Sequence, residues 1–208
     1  MKRSWEESDF KVIGVTGGMA SGKSHISKHF YRNYNYGLFN ADKLVHILMA
    51  TDPETIAAIE FAFPGSTVNR RTDRDILSDI VTKDPSALQT LEKILHPYIK
   101  YMAEYSIEQA YSSGKKGIVL DIPLLYESGA DKYCKAVIVA HTVHEKERAM
   151  KRPGMTEEKW QVLTARQDTL EQRLEHSHKH PKHPVFLVDT DGSKETVKER
   201  STTSWRNG

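Results

Sequence analysis

Residues Gly17-Gly-Met-Ala-Ser-Gly-Lys-Ser24 fit the pattern G-x-x-x-x-G-K-[ST] and sit between two segments of opposite character. Before them, Phe10 to Val15 is a β-branched and apolar run with little alternation, as in a strand buried on both faces of a parallel sheet. After them, Ser24 to Tyr34 lacks glycine and proline and places Ile26 and Phe30 four apart, on one side of a helix. Strand, glycine-rich turn and helix in this order predict half of a βαβ unit. The glycines let backbone N–H groups turn inward, so the loop and the helix N-terminus form an anion cradle sized for a polyphosphate. Gly17, Gly18, Met19, Ala20, Ser21 and Gly22 would supply that cradle; Lys23 would reach the β and γ phosphates and Ser24 would ligate Mg²⁺.

The rest of the chain extends the same architecture. Gly37 to Asn40 reads as a second strand, leading into a helix over Asp42 to Ala50 with Leu44, Val45 and Leu48 at helical spacing. Asp52-Pro53 and Asp84-Pro85 each place an acidic cap before a proline at the first helical position, and Thr72 to Val81 and Pro97 to Tyr111 are further helix candidates. Ile118 to Asp121 and Lys135 to Ala140 read as central strands. Thr142-Val-His-Glu145 has capping-box spacing for a helix carrying Arg148 and Arg152; a second helix is predicted from Thr156 to about Leu174. Val185 to Val188 would be a last strand, followed by a short polar helix and a frayed tail. Strands separated by helices imply an α/β fold with a mainly parallel sheet, and the helical block from Pro53 to about residue 113 looks like a subdomain on one edge.

Composition narrows the classes. In 208 residues there is room for one domain, with at most a small insertion. Thirty Lys and Arg against 28 Asp and Glu leave a net charge of +2, which argues against a nucleic-acid coat protein. The one cysteine, Cys134, and the acidic start MKRSWEESDF predict a reducing, cytoplasmic setting with no secretory signal, and no apolar run approaches the ~18 residues of a membrane span.

A phosphate cradle alone does not separate kinases from GTPases, motors or switches. A small-molecule kinase also needs a carboxylate near an acceptor hydroxyl and cations that close over the γ-phosphate. Asp42, at the end of the second strand, is a candidate base, or else the N-cap of a helix beginning at Lys43. Arg148 and Arg152 share a helix face and read either as a phosphate clamp on a lid or as a solvated basic face paired with Glu145 and Glu147. Asp121 ends its strand as a carboxylate that organises Mg²⁺ would, directly or through water, or else it caps the Pro123 turn. His176, His178, His180 and His183 cluster without a cysteine and with prolines between them, which reads as a solvated loop. Phe10, Trp160 and Phe186 read as core aromatics.

Several of these segments together resemble the dephospho-coenzyme A kinase family. The similarity runs from about Val12 to Gln167 and rests on GVTGGMASGKS, on Asn40-Ala41-Asp42 where the family usually has D-A-D, on Arg74 in NRRTDRDIL, on Leu95-His96-Pro97, on Asp121-Ile-Pro-Leu-Leu-Tyr-Glu127, and on Arg148-x-x-x-Arg152 before Gln167. The resemblance implies a three-layer P-loop kinase with a central parallel sheet, a helical substrate subdomain at 53–113 and a lid at about 145–175. It implies transfer of the γ-phosphoryl of ATP, with Mg²⁺, to the 3′-hydroxyl of dephospho-CoA by a monomer or small homo-oligomer. Asp42 would be the base, Lys23 and Arg148 would act on the transferring group, and Arg152 would assist on ATP. Arg74, His96, Pro97 and Asp121 would line or shape the acceptor site. Asn40 departs from the family pattern, as does Leu187-Val-Asp189-Thr-Asp191-Gly192, which replaces a strand end that helps hold adenine. Another P-loop small-molecule kinase, or a nucleotide-binding module that has lost catalysis, are the alternative readings.

Overall fold

The structure is a computed structural model that describes residues 4–165, 167–179, 183–192 and 195–197. Its centre is a five-stranded, wholly parallel sheet of β1 (Lys11–Gly17), β2 (Tyr36–Asn40), β5 (Gly117–Asp121), β6 (Ala136–His141) and β7 (Val185–Asp189), in the order β2-β5-β1-β6-β7. As the unalternating sequence requires, β5 is buried at every position and β1 at all but the first. One face of the sheet packs Ile13 and Val15 against Ile26 and Phe30 of α1 (Lys23–Asn33). The other packs Val12, Ile118 and Leu120 against Ala103, Ile107 and Ala110 of α5 (Pro85–Ser112). Helix, sheet and helix therefore make three layers.

A third apolar cluster lies beside the sheet. It joins Leu48 and Met49 of α2 (Ala41–Thr51), Ile59 of α3 (Pro53–Ala62), Leu77 and Val81 of α4 (Arg74–Lys83), and Ala87 and Leu95 of α5. Asp52, Asp73 and Asp84 cap α3, α4 and α5 through their carboxylates. Between α3 and α4 the chain forms a two-residue hairpin, β3 (Thr67–Val68) with β4 (Arg71–Thr72), so α4 starts later than the hydrophobic spacing predicts. The helices expected from Pro85 and over Pro97 to Tyr111 are one 28-residue helix, because packing on both sides holds α5 together across Pro97.

The C-terminal part corrects the sequence reading. The helix expected from Thr156 to Leu174 is two, α7 (Glu157–Thr164) and α8 (Leu170–Lys179). A reciprocal cap starts α8: Gln172 N–H donates to Thr169 Oγ1 at 3.2 Å and Thr169 N–H donates to Gln172 Oε1 at 2.7 Å. Likewise α6 (Glu145–Met150) stops before Arg152. Phe10 is buried, whereas Trp160 and Phe186 are half-buried. Trp5 is 2% exposed and its Nε1–H donates to Glu108 Oε1 at 2.8 Å, pinning the N-terminal segment to α5. His178 as a side chain, His180, Trp205 and the polar tail lie outside the described residues.

Candidate active site

All five strands run the same way, so their C-terminal ends converge on one rim, where ligands of open α/β sheets bind. The glycine-rich loop joins β1 to α1 there. Gly22 stands at the α1 N-cap with φ +90°, a left-handed conformation, and Thr190 packs 3.1 Å from where a side chain would be, so glycine is required twice over. Thr190 also ties the loop down from the end of β7, its Oγ1–H donating to Ser21 O at 2.7 Å.

Lys23 Nζ donates to the carbonyls of Gly17 at 3.0 Å and Gly18 at 2.7 Å and is only 9% exposed. Burial pulls the ammonium's pKa down to about 8 against the upward pull of the Asp121 and Asp42 carboxylates. Asp121 is buried at the end of β5, and burial pushes its carboxyl above the usual range, opposed by a hydrogen bond from Asn40 and the charge of Lys23. That hydrogen bond follows from register: Asn40 and Asp121 are partners across β2 and β5, and Asn40 Nδ2–H donates to Asp121 Oδ2 at 2.8 Å.

Asn40 also resolves one alternative. Its Oδ1 accepts from Lys43 N–H at 2.7 Å, so Asn40, and not Asp42, caps α2. An amide can accept from the helix and donate to Asp121 at once, which a carboxylate cannot. Asp42 is left exposed in the first turn of α2, where it lines a cavity of about 900 Å³. That cavity runs from Met19, Lys23 and Ser24 past Asp42 to a wall of α5 presenting Leu88, Leu91, Leu95, His96, Pro97 and Ile99, and Arg152 and Gln167 close it. The Pro123 turn is held by Thr16 Oγ1–H donating to Pro123 O at 3.0 Å.

Other expected residues stand apart. Arg74 is exposed on α4, its Nη1 3.1 Å from His46 Nδ1 and outside the residues lining the cavity. Arg148 and Arg152 diverge because α6 ends between them. Arg148 pairs with Asp191 Oδ1 at 2.9 Å and donates to Thr190 O at 3.1 Å and Thr190 Oγ1 at 3.2 Å, fastening α6 to the segment after β7. Glu145 makes no capping box: its carboxylate lies against Gly18 of the loop, drawn by Lys23 and Arg173 and raised in pKa by burial. Glu147 pairs instead with Lys151 at 2.6 Å and His144 at 3.2 Å. His176 is on α8, not in a loop, 3.0 Å from Asp168 and stacked on Tyr126.

Arg173 was not legible as a site residue. It lies on α8 at 4% exposure, close enough to Lys23 to depress its pKa. The available signal was Thr169-Leu-Glu-Gln172, whose capping-box spacing sets the start and hence the facing of α8.

A parallel sheet whose first strand turns through a glycine-rich loop ending in a buried Lys23, with the Asp121 carboxylate on the neighbouring strand end, defines a P-loop kinase fold. Similar known proteins are more specific. A family model described as dephospho-CoA kinase matches residues 11–180. Dephospho-CoA kinase of Bartonella henselae is 37% identical over 192 residues, 91% of this chain and 94% of its own. That of Bartonella quintana is 40% identical over 167 residues, 79% and 85%. The structure of dephospho-CoA kinase from Campylobacter jejuni superposes with a TM-score of 0.60 at 23% identity, covering 94% of this chain and 96% of that one. The chain belongs to the dephospho-CoA kinase family. No helix among the described residues is long and apolar enough to cross a membrane.

Proposed function

We propose that the chain transfers the γ-phosphoryl group of ATP to the ribose 3′-hydroxyl of dephospho-CoA, releasing CoA and ADP. One observation carries this assignment: the anion cradle and the Asp42 carboxylate open into the same cavity, whose far wall is the apolar stripe of α5. Such a wall suits the long pantetheine arm of the acceptor, and Lys93, Lys100 and Lys132 on the same lining suit its pyrophosphate. The helical block over 53–113 would then be the acceptor subdomain, with His96 and Pro97 in contact with the acceptor and Arg74 shaping the block from outside.

Asp42 would accept the hydroxyl proton as the acceptor oxygen attacks, and Lys23 would hold the β and γ phosphates as charge spreads over them. The 145–175 region would act as the lid. Arg152 already lines the cavity, whereas Arg148 reaches the phosphoryl group only by exchanging its contacts to Thr190 and Asp191. The donor set suits Mg²⁺: the Ser24 hydroxyl hydrogen-bonds a buried Asp121 carboxylate whose charge is held by Asn40 and Lys23. Among the described residues no group of three or more acidic, His or Cys side chains forms a cage, so the ion would be shared with nucleotide oxygens, where it supplies charge neutralisation. Ser24 would ligate it, with Asp121 acting directly or through water.

A cytoplasmic setting accords with Cys134, a lone buried thiol whose pKa burial raises. The assignment is tested by incubating the chain with Mg-ATP and dephospho-CoA and then with nucleosides and sugars. The expected result is ADP release with dephospho-CoA; turnover on another acceptor alone would favour a different small-molecule kinase.

A further inference from the structure

We propose that Arg173 binds the polyphosphate beside Lys23, and that in its absence the Glu145 carboxylate occupies the same charged seat. The proposal rests on the assignment of the glycine-rich loop to nucleotide phosphates.

Arg173 combines burial with unmet hydrogen bonding. It is 4% exposed, yet among the described residues its Nε and Nη2 have no hydrogen-bond partner. Carboxylates nearby offset part of the desolvation of that charge, but the two N–H groups are left without acceptors, which a structural arginine avoids by direct pairing. Two of the carboxylates around it each have one oxygen engaged elsewhere: Glu127 Oε1 accepts from Asp168 N–H at 3.0 Å, and Asp168 Oδ2 meets His176 at 3.0 Å. Both are near enough to support the charge of Arg173, together with Glu145, but among the described residues none forms an ion pair with it.

Arg173 and Lys23 repel each other and both attract Glu145. Glu145 lies directly on the cradle: a Cβ built on Gly18 would fall 2.1 Å from its Oε2 and 2.3 Å from its Oε1. Two cations therefore converge on one anion over a loop whose backbone is arranged for anions. A polyphosphate carries more charge than Glu145 and offers several acceptors to the planar fork of Arg173. The scaffold behind Arg173 is fixed by the Thr169–Gln172 cap, by Arg173 N–H donating to Thr169 O at 3.0 Å, and by the Tyr126–His176 stack, with ring centroids 4.6 Å apart. Arg148, by contrast, has its fork filled by Thr190 and Asp191.

The test measures binding of ATP, inorganic tripolyphosphate and adenosine to the full chain by calorimetry, with thermal unfolding of each variant. For Arg173→Met the account expects tripolyphosphate and ATP to weaken by about tenfold or more, adenosine to be unaffected, and the midpoint of unfolding not to fall. Arg173→Lys should recover part of the phosphate affinity and no more, since the fork is lost. Glu145→Gln should tighten tripolyphosphate several-fold by removing the competing carboxylate. Unchanged tripolyphosphate affinity in Arg173→Met, or a sharp loss of folding in both Arg173 variants, would make Arg173 a structural pin and overturn the proposal. If the unaltered chain bound neither ATP nor tripolyphosphate, the loop assignment itself would fail; if it bound both and Arg173→Met matched it, only the present inference would.

Discussion

Raising the pH from 7 to 9 should weaken nucleotide binding about tenfold through Lys23 alone. In the nucleotide-free chain its ammonium titrates at about 8, since burial outweighs the attraction of Asp121 and Asp42. It is therefore about 90% protonated at pH 7 and about 10% at pH 9, whereas an unperturbed lysine would stay charged throughout. Phosphates arriving beside it favour the charged form, so the bound chain keeps the proton across this window. The sign follows: affinity holds below pH 7 and declines as pH rises through about 8, approaching a factor of ten per unit above it. Calorimetry at pH 7, 8 and 9, in two buffers of different ionisation enthalpy, reads both affinity and proton uptake, which should reach about half a proton at pH 8. A flat affinity over pH 7 to 9, with no proton taken up, would show that Lys23 is not a desolvated ammonium facing the cradle.

Three substitutions probe the surrounding contacts. Asp42→Ala should leave ATP affinity within about twofold and lower kcat by about 10²–10⁴, the range for a positioned base; steady-state assay of CoA formation decides, and full turnover would remove the base. Asn40→Asp keeps the helix cap but sets a carboxylate where Nδ2–H now donates to Asp121 at 2.8 Å. Unfolding at pH 8 should then come several degrees lower, from about 1–3 kcal/mol of lost hydrogen bond and added repulsion, with recovery as falling pH lets the pair share a proton; an unaltered midpoint at pH 8 would refute the contact. Thr190→Val removes the one hydroxyl proton that lies within reach of both Ser21 O and His141 O, at nearly constant volume. It should cost about 1–2 kcal/mol in urea denaturation and raise the KM for ATP, and a cost within 0.3 kcal/mol of zero on the order of measurement error would deny Thr190 its hold on the loop.

The parts legible in the sequence are those decided by neighbours along the chain. The strand before Gly17, the loop and α1 are a single local pattern, and the aspartate caps before Pro53 and Pro85 fix helix starts within four residues. What was not legible depends on partners far away in the chain. Glu145 has the spacing of a capping box, but two buried cations outbid a neutral backbone N–H for its carboxylate. Arg148 and Arg152 are four apart, yet α6 ends between them and Asp191 takes the first. Asn40 departs from the family pattern, and its pairing with Asp121 needs the register of β2 against β5, which no local pattern encodes. The segment after β7, which departs from the family pattern, supplies Thr190 and Asp191 to the loop and to Arg148.

The most direct trial of the account is mass analysis of the products formed by the purified chain from Mg-ATP and dephospho-CoA, alongside the Asp42→Ala and Lys23→Ala variants. The account predicts CoA phosphorylated at the ribose 3′ position, one ADP for each CoA, and severe loss of both in the two variants. ATP consumed without phosphorylation of the acceptor, or CoA formed at an undiminished rate by either variant, would contradict it.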